Sequence, residues 1–165
     1  MTGAELSDCG LYRYRLWRRW GSGPKVLWIM LNPSTADALK DDPTIRRCAG
    51  FTRDWGGDSF EVVNLFALRA TDPRELMKHA DPYGPANDTQ LRISLRKRWL
   101  HVVAAWGRAD AVPRDRVRGY ESYLQRLDRG DRLECLGVTK GGHPRHPLYV
   151  PRATALQPWP AAKEQ

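Results

Sequence analysis

The stretch that decides the fold is KVLWIMLNPSTAD, Lys25 to Asp37. Apolar residues run from Val26 to Leu31 without a polar break, the pattern of a strand buried on both faces. The run stops at Asn32-Pro33-Ser34-Thr35. Pro33 has no amide proton to continue a ladder, and Asn and Ser favour turns. Such a strand belongs inside a sheet, with a polar turn at its carboxyl end.

On its N-terminal side, GLYRYRLWRRW alternates apolar and basic residues from Leu11 to Trp17, a half-buried strand by its period of two. The turn residues Gly21 to Pro24 separate it from Val26–Leu31, so the two are expected to pair antiparallel. Downstream, Asp42 caps a helix, Pro43 opens it and Gly56-Gly57 ends it. Phe60 to Leu68 reads as the next strand, Asp72-Pro73 opens a short helix, and Leu91, Leu95 and Trp99 mark a longer one. His101 to Gly107 is a third strand, PRDRVRGYESYLQRLDRG a helix ending at Gly130, and Arg132 to Val138 a fourth strand. TKGGHPRHPLYVP is an irregular loop in which a helix fits poorly.

Apolar strands alternating with amphipathic helices imply an α/β fold. The expectation is one three-layer α/β/α domain over residues 1–165. Its sheet is central, four-stranded and mostly parallel, with one N-terminal antiparallel strand. The core spans about 11–150, and 151–165 forms a C-terminal tail. Ligands bind beyond the carboxyl ends of the strands in such sheets.

The chain has 165 residues with 27 Lys and Arg against 19 acidic residues, a net charge of +8. An Arg-rich excess suits phosphate contacts, although an Arg-rich genome gives the same composition. Cys9, Cys48 and Cys135 are isolated, which argues against a metal or iron–sulfur site and for reduced thiols in the cytoplasm. No run is apolar enough to span a bilayer, and the N-terminus lacks the pattern of a secretion signal. A monomer with no metal, no cofactor and no membrane partner is expected.

Polar residues gather after the strands: Asn32, Ser34, Thr35 and Asp37 after the first, Asn64 and Arg69 around the end of the second, Arg108 after the third. Lys140, Gly141, Gly142, His143, Arg145 and His146 follow the fourth. Asn64, set among apolar neighbours, either bonds a nearby loop or pairs with the edge of a planar ligand. His143 is either a surface residue or part of a stiff, preorganised loop. Asp42 reads first as a helix cap, though it and Asp37 can reach the same pocket. Phe51 and Trp55 are candidates for stacking on a base. Trp17, Trp20, Trp28, Trp99 and Trp106 need no ligand to explain them, and His79 and His101 read as structural or surface residues.

In this order, MLNPS, VVNLF, VVAAWG and GHPRHP resemble the motifs of the uracil-DNA glycosylase superfamily. At a finer grain MLNPSTAD, DDPTIRRC, NLFALRATDP and DPYGPAND resemble a bacterial and phage family of unknown function. The first resemblance implies hydrolysis of the N-glycosidic bond of a flipped uracil or modified pyrimidine in single- or double-stranded DNA. Asn32 and His143 are then catalytic, and Asn64, Phe51, Trp55 and Ser34 bind the base. Thr35, Arg69, Arg108, Lys140, Arg145 and His146 bind DNA. The sequence departs from the motifs in placing Leu31 where a Gly is usual and Asn32 where the classical branch has an Asp. Ser34 stands where some branches have a Tyr, which leaves room for a 5-substituent. The alternatives are a non-catalytic nucleic-acid or nucleotide-binding module, and an enzyme acting on free nucleotides.

Overall fold

In the computed structural model, which describes residues 1–110, 112–127 and 132–160, seven strands form one sheet. They are β1 (Thr2–Leu6), β2 (Arg13–Arg19), β3 (Lys25–Met30), β4 (Ser59–Asn64), β5 (His101–Ala104), β6 (Leu133–Cys135) and β7 (Gln157–Pro158). The α-helices among the described residues are α1 (Pro43–Asp54), α2 (Asn87–Leu95) and α3 (Arg114–Leu127). The strand order is β1-β2-β4-β3-β5-β6-β7. β3 runs parallel to β4 and β5, and β5 runs parallel to β6. The ends are antiparallel: β1 with β2, β2 with β4, and β6 with β7. The sheet is therefore mixed and wider than expected, with antiparallel pairs at both ends in place of a single added strand.

β2 pairs with β4, not with β3 as the intervening turn suggested. The reason lies in β3, whose residues Val26 to Ile29 are fully buried and whose two edges are taken by β4 and β5. Trp20 and Gly21 instead donate their amides to Asp58 O at 3.0 and 3.1 Å, which delivers β2 to the outer edge of β4. At the other end of the sheet, the segment expected to be a loose tail supplies β7 and the buried Trp159, whose ring meets Trp106 edge-on at 4.8 Å.

Helix α1 follows its sequence signals. Asp42 accepts from the Ile45 amide at 2.8 Å, Pro43 occupies the first turn, and Gly56 takes a φ of 77° just beyond the end. The segment after Asp72 is a 3-10 turn over Pro73–Lys78. Helix α2 stops at Leu95, short of Trp99, which donates its ring N–H to Ser94 O at 2.8 Å. Pro147–Tyr149 is a single 3-10 turn inside the loop expected to be irregular. The expected end of α3 at Gly130 lies outside the described residues.

Alternation along β3 divides the core in two. Val26, Trp28 and Met30 pack with Ile45, Cys48 and Phe51 of α1 on one face. Leu27 and Ile29 pack with Leu91 and Leu95 of α2 and Val117 and Leu124 of α3 on the other. Each such side chain contributes about 1.5–3 kcal/mol by leaving water. No helix among the described residues is long and apolar enough to cross a membrane.

Candidate functional site

The parallel strands point their carboxyl ends at one cavity of about 1030 Å³. Asn32 enters it from β3, Asn64 from β4, Trp106 and Gly107 from β5, and His143 and His146 from the loop after β6. β4 ends at Asn64, whereas the apolar pattern continues to Leu68. That early stop makes Asn64 a strand-end residue: the amides of Leu65 and Phe66 turn to Met30 O and Leu31 O, each at 2.9 Å. The buried Asn87 of α2 locks the corner by donating to Asn64 O and Leu65 O, both at 3.0 Å.

Asn32 donates its amide nitrogen to Pro33 O at 3.0 Å and Ala70 O at 2.7 Å. These bonds hold the polar turn against the loop after β4 and leave Oδ1 as the group available to a ligand or water. Asn64 is 1% exposed, and its Nδ2 has no hydrogen-bond partner among the described residues. The ring N–H of Trp106 is buried and unpartnered in the same way.

The two loop histidines differ in protonation geometry. His143 Nδ1 lies 3.2 Å from Glu121 Oε1 of α3. A carboxylate accepts, so Nδ1 carries the proton and Nε2 of the neutral ring is an acceptor. His146 Nδ1 accepts from the Leu148 amide at 3.2 Å, so the neutral ring carries its proton on Nε2. Burial pushes the pKa of His146 down to about 4, with Asp42 opposing the shift, so the ring is neutral near pH 7. The β5 exit sets this loop's position. Gly107, at a φ of +72°, donates its amide to Pro144 O at 2.9 Å, and a Cβ there would meet His146 Cβ at 2.8 Å. Arg47 of α1 ties down the far side through Pro147 O at 3.1 Å and Val150 O.

Other candidates divide. Ser34, Arg108, Lys140 and Arg145 line the cavity. Arg108 pairs with Asp110 at 2.7 Å and Arg145 Nε donates to Val138 O at 3.1 Å. Thr35 and Arg69 line a smaller neighbouring pocket of about 340 Å³ that shares Ser34, Ala70 and Thr71 with the main one. Phe51 and Trp55 do not reach the cavity. Phe51 is 1% exposed and tilts against Trp28 at 6.2 Å, and the half-buried Trp55 stacks on Trp28 at 5.4 Å. The apolar face of α1 must cover β3, which turns both rings inward. Asp42 lines the cavity while capping α1.

Sequence reasoning missed Arg13. A strict period of two puts Arg13 on the face of Arg15, which lies 3.6 Å from Glu61 on the α2 side. The register instead runs Glu5↔Arg15 and then Leu6↔Arg13, so Tyr14 is an extra residue on β2. This β-bulge reverses the alternation and turns Arg13 into the cavity. Glu121 was also missed, because only the fold brings α3 to the loop after β6.

No curated protein and no solved structure matches the chain. A family model described as "Protein of unknown function (DUF1643)" matches residues 13–148, from the bulged Arg13 to the turn behind His146, and the chain belongs to that family.

Proposed function

We propose that the chain is a DNA N-glycosylase with a fold like that of the uracil-DNA glycosylase superfamily. In this reading it hydrolyses the bond between deoxyribose and a flipped uracil or modified pyrimidine. The observation that carries the reading is the meeting of Asn32, Asn64, His143 and His146 in one cavity beyond the parallel strand ends. A flipped base needs such a pocket, with an amide to read its edge and donors placed where charge develops. The net charge of +8, with Arg108, Lys140 and Arg145 lining the pocket, suits a phosphate backbone across its mouth.

Cleavage leaves negative charge on the departing base. The neutral donor that meets it is His146 Nε2–H, rather than His143 as the motif resemblance implied. Asn64 Nδ2 donates to a base carbonyl. His143, oriented by Glu121, accepts a proton from the attacking water, and Asn32 Oδ1 helps to hold that water. Asp42, beside the same space, supplies a further carboxylate.

The test is release of free base from oligonucleotides containing uracil, 5-hydroxymethyluracil, hypoxanthine or a thymine mismatch. Loss of an oxyanion donor costs roughly 10²–10³ in rate, and that is the drop expected for His146→Ala. Unchanged release in both His146→Ala and Asn64→Ala would overturn the assignment. A second reading, a binding module without chemistry, is favoured by Asn32: its amide nitrogen is committed to backbone carbonyls and an amide oxygen activates water weakly. Salt-sensitive DNA binding with no base release identifies that case.

A further inference from the structure

Two arginines of β2 are buried on the cavity side of the sheet, and they are treated very differently. Arg18 is fully engaged: it contacts Asp41 at 2.7 Å and donates to the carbonyls of Gly3, Trp17 and Asp37. Arg13 is 3% exposed, yet its side chain has one hydrogen bond among the described residues, from Nη1 to Ala36 O. Its buried Nε has no partner among the described residues. Asp42 and Asp37 favour its charge through space, but neither lies within ion-pair distance, and Arg69 and Arg18 oppose it. Burial lowers its pKa to about 10, so it remains a cation near pH 7.

A buried cation with an open hydrogen-bonding edge is costly unless something acidic completes it. The open edge is the one formed by Nε and Nη2, which presents two parallel N–H groups and matches a carboxylate or phosphate in bidentate fashion. The other buried, unpartnered side-chain atoms lining this cavity, Asn64 Nδ2 and Trp106 Nε1, are donors as well. Three residues that line a space large enough for a nucleotide thus each carry a buried donor with no partner among the described residues. The bulge at Tyr14 is what aims Arg13 there.

We infer that the inner wall of the cavity is an oxyanion subsite, in which the Nε–Nη2 edge of Arg13 chelates a carboxylate or phosphate carried by the ligand. The subsite works by binding and stands whether or not cleavage follows. Two sources fit its chemistry: an acidic substituent on the base, or a phosphate on the sugar. The first makes the ligand an acidic, 5- or 6-substituted pyrimidine; the second makes it a nucleotide.

The experiment is calorimetric titration of the full chain, at fixed ionic strength, with four probes. Orotate is compared with uracil, and 2′-deoxyuridine 5′-monophosphate with 2′-deoxyuridine. At least one charged probe should bind about tenfold or more tightly than its neutral partner, the size of a charge-assisted hydrogen bond. Preference for orotate places the anion on the base, and preference for the monophosphate places it on the sugar. Arg13→Gln should remove the preference and leave the neutral probes' affinity within about twofold. Arg13→Lys, which retains the charge without the fork and serves if the Gln variant fails to fold, should reduce it. Arg118→Gln, which removes an exposed charge on α3, should leave it intact and so separates the subsite from the general pull of a basic surface. Equal binding of charged and neutral probes, binding of none of the four, or an unchanged preference in Arg13→Lys and Arg13→Gln would overturn the inference. Base release that persists while the anion preference is absent would sink this subsite alone and leave the glycosylase reading standing.

Discussion

At the scale of single residues, Asn64 and His146 show how the site trades stability for readiness. The Nδ2 of Asn64 is desolvated at the end of β4 with no partner among the described residues, a cost of about 1–3 kcal/mol. Asn64→Leu removes that donor at similar volume. It is expected to hold or raise stability by up to about 1 kcal/mol in a denaturant titration while abolishing base release. A large loss of stability would mean that the amide is structural. His146 makes the opposite kind of prediction, one of pH. Its folded pKa of about 4 lies below the ordinary 6.5, so the unfolded chain binds its proton first as pH falls. The contribution is present above pH 6.5 and is lost as pH falls towards 4. In melting curves, wild type should therefore lose about 2 kcal/mol more stability than His146→Gln on going from pH 7.5 to 4.5. Parallel pH dependence in the two proteins would show that the ring is not buried neutral.

At the scale of elements, the site depends on where strands stop and how loops are clamped. Gly107 meets the His loop closely enough that Ala would push on the His146 Cβ, and its φ of +72° strains any L side chain. Gly107→Ala should cut base release at least tenfold, with a far smaller loss of substrate binding, because the displaced group is the donor and not the rim. A crystal structure of the variant with His146 unmoved would refute this. Much of this level was legible beforehand. The apolar run of β3, the capped and Pro-opened α1 and the polar gathering after the strands all have local signatures. The rest had none. The bulge at Tyr14 is a register event between two strands, so no window within β2 reveals that Arg13 and Arg15 face opposite ways. β4 reads on to Leu68 because the residues after Asn64 are equally apolar, although they turn to bond the end of β3. Phe51 and Trp55 look available as stacking rings until α1 is laid on β3, where both are consumed by the core.

At the scale of the whole molecule, a mixed sheet opens its cavity on the side where the parallel strands end, and its antiparallel flanks do different work. β2 brings Arg13 to the cavity, and the segment after β6 returns through the His loop before β7 closes the edge with Trp159. α3 is packed beneath and supplies Glu121 to His143. The histidines, the amides and the buried arginine thus come from separate stretches of chain and meet only in the fold. That convergence is the reason to expect reaction at this cavity and not binding alone. Mass spectrometry of uracil- and modified-pyrimidine-containing oligonucleotides after incubation with the purified chain tests it most directly. Free base together with abasic sites is expected, both lost in His146→Ala. Intact oligonucleotides in every case, with DNA still bound in a salt-dependent manner, would contradict it and leave the cavity a recognition pocket without chemistry.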